Sequence, residues 1–246
     1  MTTIIIFGIS GGIGQAIAAE FLKKFDTITI YAPVRSIMNL EQLHCSANQT
    51  IIQMEWHSDD EASLTTIASE IKNHGHPIDY CVSALGALHS DDVKPEKKLG
   101  QLSMKNLIWY YNVNAILHTL IIKEISGLMN KKAPSFMGFL SARVGSISDN
   151  KLGGWYSYRA AKAALNMIIR CASIELKRYN KTLAIVGIHP GTVDTNLSKP
   201  FQAHVPEHKL FSPDYAASEI MKNIIQTVSP EDSGNVFAYD GSRVPE

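Results

Sequence analysis

What most restricts this chain is a regular alternation of short apolar runs with helical periods along its 246 residues. Ile4–Gly8, Thr27–Tyr31, Gln49–Glu55, Ile78–Ser83, Ser135–Leu140, Leu183–Ile188 and Asn235–Ala238 read as strands. They are short, rich in Ile, Val and Phe, and apolar on both faces, as strands covered by helices on both sides must be. Helical periods lie between them near 13–24, 62–73, 103–129, 157–178 and 214–227. Strand–helix alternation implies right-handed crossovers and a parallel sheet. The expectation is α/β: one doubly wound domain over 1–246, with a mostly or wholly parallel sheet of about seven strands flanked by helices. No internal repeat, low-complexity tract or linker interrupts it.

Two of the helical periods exceed what a sheet-covering helix needs. Leu107 to Met129 carries Ile, Leu, Tyr, Trp or Val on nearly every side, and 160–176 does so with Ala, Leu, Met and Ile. An all-round apolar pattern calls for a second buried face. A homodimer or homotetramer built through helices near 103–129 and 157–178 is expected, with burial under loops as the alternative.

Charge narrows the partners. Lys plus Arg and Asp plus Glu each number 23, giving zero net charge, which argues against nucleic acid and anionic membrane as main partners because both need a basic excess. Cys45, Cys81 and Cys171 are odd in number and form no C-x-x-C pair, so reduced thiols in a cytoplasmic setting are expected. Residues 1–19 carry no charge, and Ala16-Ile17-Ala18 imitates a cleavage site. A signal peptide needs a basic start and an unbroken apolar stretch, whereas the first cation here is Lys23 and glycines interrupt the middle. The same glycines break any span of about 20 apolar residues. His74-Gly75-His76 has no carboxylate or cysteine at ligand spacing, so no metal is expected. Asp91-Asp92 and Lys97-Lys98 read as solvated loop charges.

Gly8-Ile9-Ser10-Gly11-Gly12-Ile13-Gly14 follows the first strand and opens the first helix. Glycine permits a sharp turn and close approach of backbone to a pyrophosphate, and the helix start offers unpaired N–H groups. Gly8, Ser10, Gly11, Gly12, Ile13 and Gly14 are therefore candidates for binding a dinucleotide. The same letters also match G-x-S-x-G, the nucleophile elbow of α/β-hydrolases. That elbow borrows its oxyanion hole from a loop after an earlier strand, and here no strand precedes. A dinucleotide site usually presents an acid about 20 residues on. From Thr27 to Leu40 there is no Asp or Glu, and Arg35 is the only charge. A guanidinium suits a 2′-phosphate, so the expected cofactor is NADP, with NAD the alternative.

Tyr158 and Lys162 are four residues apart at the start of an apolar helix and share one face. Lowering a phenol's pKa by about 2–3 units needs roughly 3–4 kcal/mol. One ammonium about 4 Å away supplies roughly 4 kcal/mol at an effective dielectric near 20. Joined to the glycine turn, this pair resembles the short-chain dehydrogenase/reductase family over essentially the whole chain. The stretch Gly153 to Asn166 resembles the branch of sniffer-type carbonyl reductases and bacterial C-factor proteins. Gly8, Gly12 and Gly14 match the family's TGxxxGxG, with Phe7 in place of threonine. Asn114 matches its helix asparagine, and His189-Pro190-Gly191-Thr192-Val193-Asp194-Thr195 its PGxxxT segment.

The resemblance implies a Rossmann-type fold and an oxidoreductase that moves hydride between a nicotinamide cofactor and a small carbonyl or alcohol substrate. Tyr158 would act as general acid/base, Lys162 would hold the ribose and lower the phenol pKa, and Asn114 would fix a relay water. Pro190, Gly191, Val193 and Thr195 would meet nicotinamide and pyrophosphate, and Ala84 and Gly86 the cofactor ribose. Residues 196–212, with Lys199, His204, His208 and Lys209, would form a short substrate lid. Two departures stand out. Strict alignment puts Ala142 where the family has its serine, so Ser141 is taken as the oxyanion donor with Ser146 its competitor; such a donor is worth about 2.7–4 kcal/mol. Ser83-Ala84-Leu85-Gly86 replaces Asn-Asn-Ala-Gly, and Ser83 is short enough to need a water. Trp56 reads as core, with adenine stacking the alternative. A cofactor-binding regulator with weak turnover is the rival function, and a hydrolase the remoter one.

Overall fold

The computed structural model describes residues 1–246, the side chain of His204 excepted. Seven strands form one sheet: β1 (Thr2–Phe7), β2 (Ile28–Val34), β3 (Gln49–Glu55), β4 (Tyr80–Ser83), β5 (Ser135–Leu140), β6 (Leu183–His189) and β9 (Val236–Ala238). Their order is β3-β2-β1-β4-β5-β6-β9, and every neighbouring pair is parallel. All seven runs read as strands from the sequence are in this sheet. Two further strands, β7 (Thr192–Val193) and β8 (Leu210–Phe211), pair with each other outside it and are too short to show a period.

Helices α1 (Gly12–Lys24), α2 (Glu61–Asn73), α3 (Met104–Tyr111), α4 (Leu117–Ile125), α5 (Tyr156–Leu176) and α6 (Pro213–Ile220) cover both faces. Strand β1 shows why both faces are apolar. Side chains alternate across a strand, so Ile4 and Ile6 enter one core with α1 and α6, while Ile5 and Phe7 enter the other with α2, α4 and α5. Each such side chain, fully buried, is worth about 1.5–3 kcal/mol relative to leaving it in water. Trp56 belongs to the second core, edge-on to Phe7 at 5.3 Å between ring centroids, and is a packing residue.

The sequence period over 103–129 is one helical run broken in register. Residues Asn112–Ile116 form a π turn between α3 and α4, an insertion that often marks a functional position. The order of strands reverses between β1 and β4, so the crevice beyond their carboxyl ends is where such sheets bind ligands. Among the described residues no helix is long and apolar enough to cross a membrane.

Candidate active site

The glycine turn sits at that crevice. Gly8 has φ +83°, in the left-handed region, and its carbonyl accepts the Gly11 N–H at 3.0 Å. A Cβ on Gly14 would stand 2.1 Å from the Gly8 carbonyl oxygen, so only glycine lets α1 start this close to β1. Gly11, the N-cap of α1, offers no capping side chain, and the first turn carries no acid. The N–H groups at this helix start are left for an anion, and the residues present fit a pyrophosphate.

A cavity of about 420 Å³ opens here, walled by the glycine turn, the loops after β4 and β5, the start of α5 and the segment after β6. Ser10, Gly11, Gly12, Ile13, Gly14, Ala84, Gly86, Pro190, Gly191, Val193 and Thr195 line it, as do Tyr158, Lys162 and Ser141. Helix α5 brings Tyr158 and Lys162 to one wall, both buried. Lys162 Nζ donates to the Leu140 carbonyl at 2.8 Å and lies 5.9 Å from the Tyr158 ring centroid. The expected lowering of the phenol pKa is not what these side chains produce by themselves. Burial disfavours the charged form of each, pushing the Tyr158 phenol up and Lys162 down to about 7. Desolvation of both groups outweighs the Coulomb attraction that their spacing offers.

Three sequence candidates stand outside the cavity lining. Gly8 lies beneath the turn, against the backbone of Ala84. Asn114 is fully buried behind the wall in the π turn. Its Nδ2 donates to the carbonyls of Ala87 (2.9 Å) and Tyr110 (3.1 Å), and its Oδ1 accepts the Ala87 N–H at 3.2 Å. Both amide atoms thus brace the loop after β4. Arg35 is exposed, because β2 runs on to Val34 and delivers it to solvent. The β1–β2 register, Ile5 opposite Tyr31, still carries Arg35 level with the glycine turn.

The two serines separate. Ser141 lines the cavity, and its hydroxyl donates to Asn166 Oδ1 at 2.6 Å. Ser146 faces the other way: its hydroxyl lies 3.4 Å from the Glu246 carbonyl and accepts the Asp149 N–H at 3.1 Å. Ala142 also lines the cavity.

Although Leu197 and Phe201 fall in the segment expected to act as a lid, sequence reasoning singled out no residue of the outer wall. Leu88, Val144, Trp155, Leu197 and Phe201 line it, and Trp155 packs edge-on to both Tyr158 (6.3 Å) and Phe201 (5.3 Å). Trp155 has φ +50°, the one non-glycine residue with positive φ among those described. Its only sequence signal was its place after Gly153-Gly154. His189 lines the cavity as well, its Nδ1 buried without a partner, and burial lowers its pKa to about 4.

Comparison with known proteins decides the family, because the short chain dehydrogenase family model matches residues 2–206. The chain belongs to the short-chain dehydrogenase family. It is 26% identical over 242 residues to the 1-hydroxy-2-glutathionyl-2-methyl-3-butene dehydrogenase of Rhodococcus sp. (strain AD45), covering 98% of each chain. Its fold is that of carbonyl reductase Sniffer of D. melanogaster, with TM-score 0.83, 18% identity and full coverage of both chains. A short-chain dehydrogenase/reductase from Burkholderia multivorans with bound NADP superposes with TM-score 0.79 at 24% identity, covering 100% of this chain and 99% of that one.

This short-chain dehydrogenase is thus a member of an oxidoreductase family that uses NAD(P), and the hydrolase reading of its glycine turn falls away. Ser83 at the end of β4 finds an unexpected partner. Ser83 Oγ lies 2.9 Å from Nδ1 of His118 on α4, and both residues are fully buried. The longer reach of asparagine is thus supplied by a histidine from the facing helix, with no water needed between them.

Proposed function

We propose that the protein is an NADP-preferring reductase of apolar carbonyl compounds, with Tyr158 as the proton donor. The observation that carries this reading is the meeting of Tyr158 and Lys162 on a cavity that the glycine turn also lines. A nicotinamide cofactor bound against the glycine turn would supply the hydride. Tyr158 gives its proton to the carbonyl oxygen, and burial keeps the phenol protonated, which favours reduction at neutral pH. Lys162 would hold the ribose of such a cofactor, and its ammonium form offsets the negative charge left on Tyr158 once the phenol has given up its proton. Ser141 turns its hydroxyl from Asn166 to the substrate oxygen. Asn114 acts by fixing the loop after β4. Arg35, level with the glycine turn, selects the 2′-phosphate.

The wall formed by Leu88, Val144, Trp155, Leu197 and Phe201 supports an apolar, aromatic-tolerant substrate, since few polar groups there would otherwise fix one. Residues 196–212 act as a short lid, with Phe201 resting on Trp155; of this segment His204 lies outside the described side chains. Assembly as a homodimer or homotetramer is supported by Met104, Ile108, Ile116, Met167 and Ile174, large apolar residues left exposed on α3, the π turn and α5. A cytoplasmic setting remains part of this reading.

The test is steady-state NADPH oxidation with aromatic and aliphatic aldehydes, ketones and quinones. Turnover that is greater with the aromatic compounds supports the proposal. Tight NADPH binding without turnover of any of them overturns it in favour of a cofactor-binding regulator. That second reading is supported by Ala142 on the cavity wall and by the tie between Ser141 and Asn166.

A further inference from the structure

We propose that Glu96, in the loop after β4, is the positioning residue that caps α5 from outside the helix and so holds Trp155 and Tyr158 in place. A helix start leaves four N–H groups without partners, and Ser, Thr, Asp or Asn usually serves one of them from the N-cap. Here the N-cap is Trp155, in a left-handed conformation at φ +50° and ψ +40°, and its side chain accepts nothing. Such a backbone is strained for a non-glycine residue, so something must hold it.

Glu96 does so by three contacts. Its Oε2 accepts the backbone N–H of Ser157 at 3.2 Å, its Oε1 accepts the Ser157 hydroxyl, and its main-chain carbonyl accepts the Trp155 N–H. Glu96 is only 2% exposed. Lys94, Lys97 and Lys98 flank it in sequence, yet it forms no ion pair among the described residues. A buried carboxylate without a cation must be satisfied by N–H and O–H donors, and the positive end of a helix suits it. Tyr158 is the next residue after the one Glu96 grips, and the Trp155 ring packs on the Tyr158 ring. Glu96 lines no part of the cavity and acts through these two neighbours.

The kinetic part rests on Tyr158 being the proton donor; the structural part does not. Three variants separate reach from charge. Glu96→Gln keeps an oxygen at the same reach, Glu96→Asp keeps the charge one methylene short, and Glu96→Ala removes both. Amide hydrogen exchange, read by mass spectrometry on peptides spanning 155–162, should accelerate about tenfold or more in the Ala and Asp variants. In the Gln variant it should stay within about threefold, and peptides over β1 and α1 should not change in any of them. In the same order, kcat for carbonyl reduction should fall about tenfold or more in Ala and Asp and recover to within about threefold in Gln, with the NADPH Kd held within about threefold. Unchanged exchange at 155–162 in Glu96→Ala overturns the proposal, as does an Asp variant that behaves like the parent beside a Gln variant that does not. If the Ala variant fails to fold, the Gln–Asp comparison decides. A parent without turnover sinks only the carbonyl reductase reading, and the exchange result still judges Glu96.

Discussion

Lys162 stands over the face of Tyr158, its Nζ 5.9 Å from the phenol ring centroid while it donates to the Leu140 carbonyl at 2.8 Å. Both side chains are buried on one face of α5. The Lys162 amine is therefore held by a backbone carbonyl, while burial brings its pKa down to about 7 and keeps the phenol loaded with its proton.

Replacing Tyr158 by Phe removes only the O–H and keeps the ring contacts with Tyr110 and Trp155. General acid catalysis contributes roughly 100- to 10,000-fold, and kcat/KM for carbonyl reduction should fall within that range. NADPH affinity, measured by fluorescence titration, should change by less than about fivefold. A Phe variant as fast as the parent removes Tyr158 from the chemistry.

The low pKa of Lys162 has a sign for stability. The group titrates near 7 in the folded protein and at 10.5 when unperturbed. Between those values the unfolded chain binds the extra proton, so stability rises with pH across this window by up to about 1.4 kcal/mol per unit, and the gain ends above it. The Tm of the cofactor-free parent minus that of Lys162→Met should therefore increase from pH 7 to pH 10, the other titrations being common to both. A difference independent of pH would show that the ammonium is not desolvated.

Ser141 and Ser146 should differ sharply. Loss of an oxyanion donor costs about 100- to 1,000-fold, so Ser141→Ala should lower kcat/KM toward that range, while Ser146→Ala, whose hydroxyl serves Asp149 and Glu246, should stay within about twofold. Equal effects, or an unchanged Ser141→Ala enzyme, exclude the assignment of Ser141.

Arg35 is exposed and level with the glycine turn. Arg35→Ala should weaken NADPH binding about tenfold, about 1.4 kcal/mol, and leave NADH binding unchanged. Because the site is open to solvent, the penalty should shrink as salt rises. Equal losses for both dinucleotides, compared by calorimetric titration, would show that Arg35 does not read the 2′-phosphate.

The chain order of strands and helices, the glycine turn and the Tyr158–Lys162 pair were all determined by the sequence itself. Each rests on a local rule: apolar runs open to both faces, glycine where a Cβ would strike backbone, and side chains four apart on one helical face. That is why β3 and β5 have the bounds expected of them and why Tyr158 and Lys162 reach the same wall.

Tertiary structure alone decided what depends on burial and on partners distant in the chain. Desolvation reversed the expected direction of the Tyr158 pKa, which spacing could not reveal because spacing says nothing of solvent. The partner of Ser83 is 35 residues away and that of Ser157 is 61, and no period or motif links such positions. Which of the two serines lines the cavity, Ser141 rather than Ser146, fell to the direction in which the backbone after β5 turns, and the apolar wall to residues from separate loops, such as Trp155 and Phe201, that meet only in the fold.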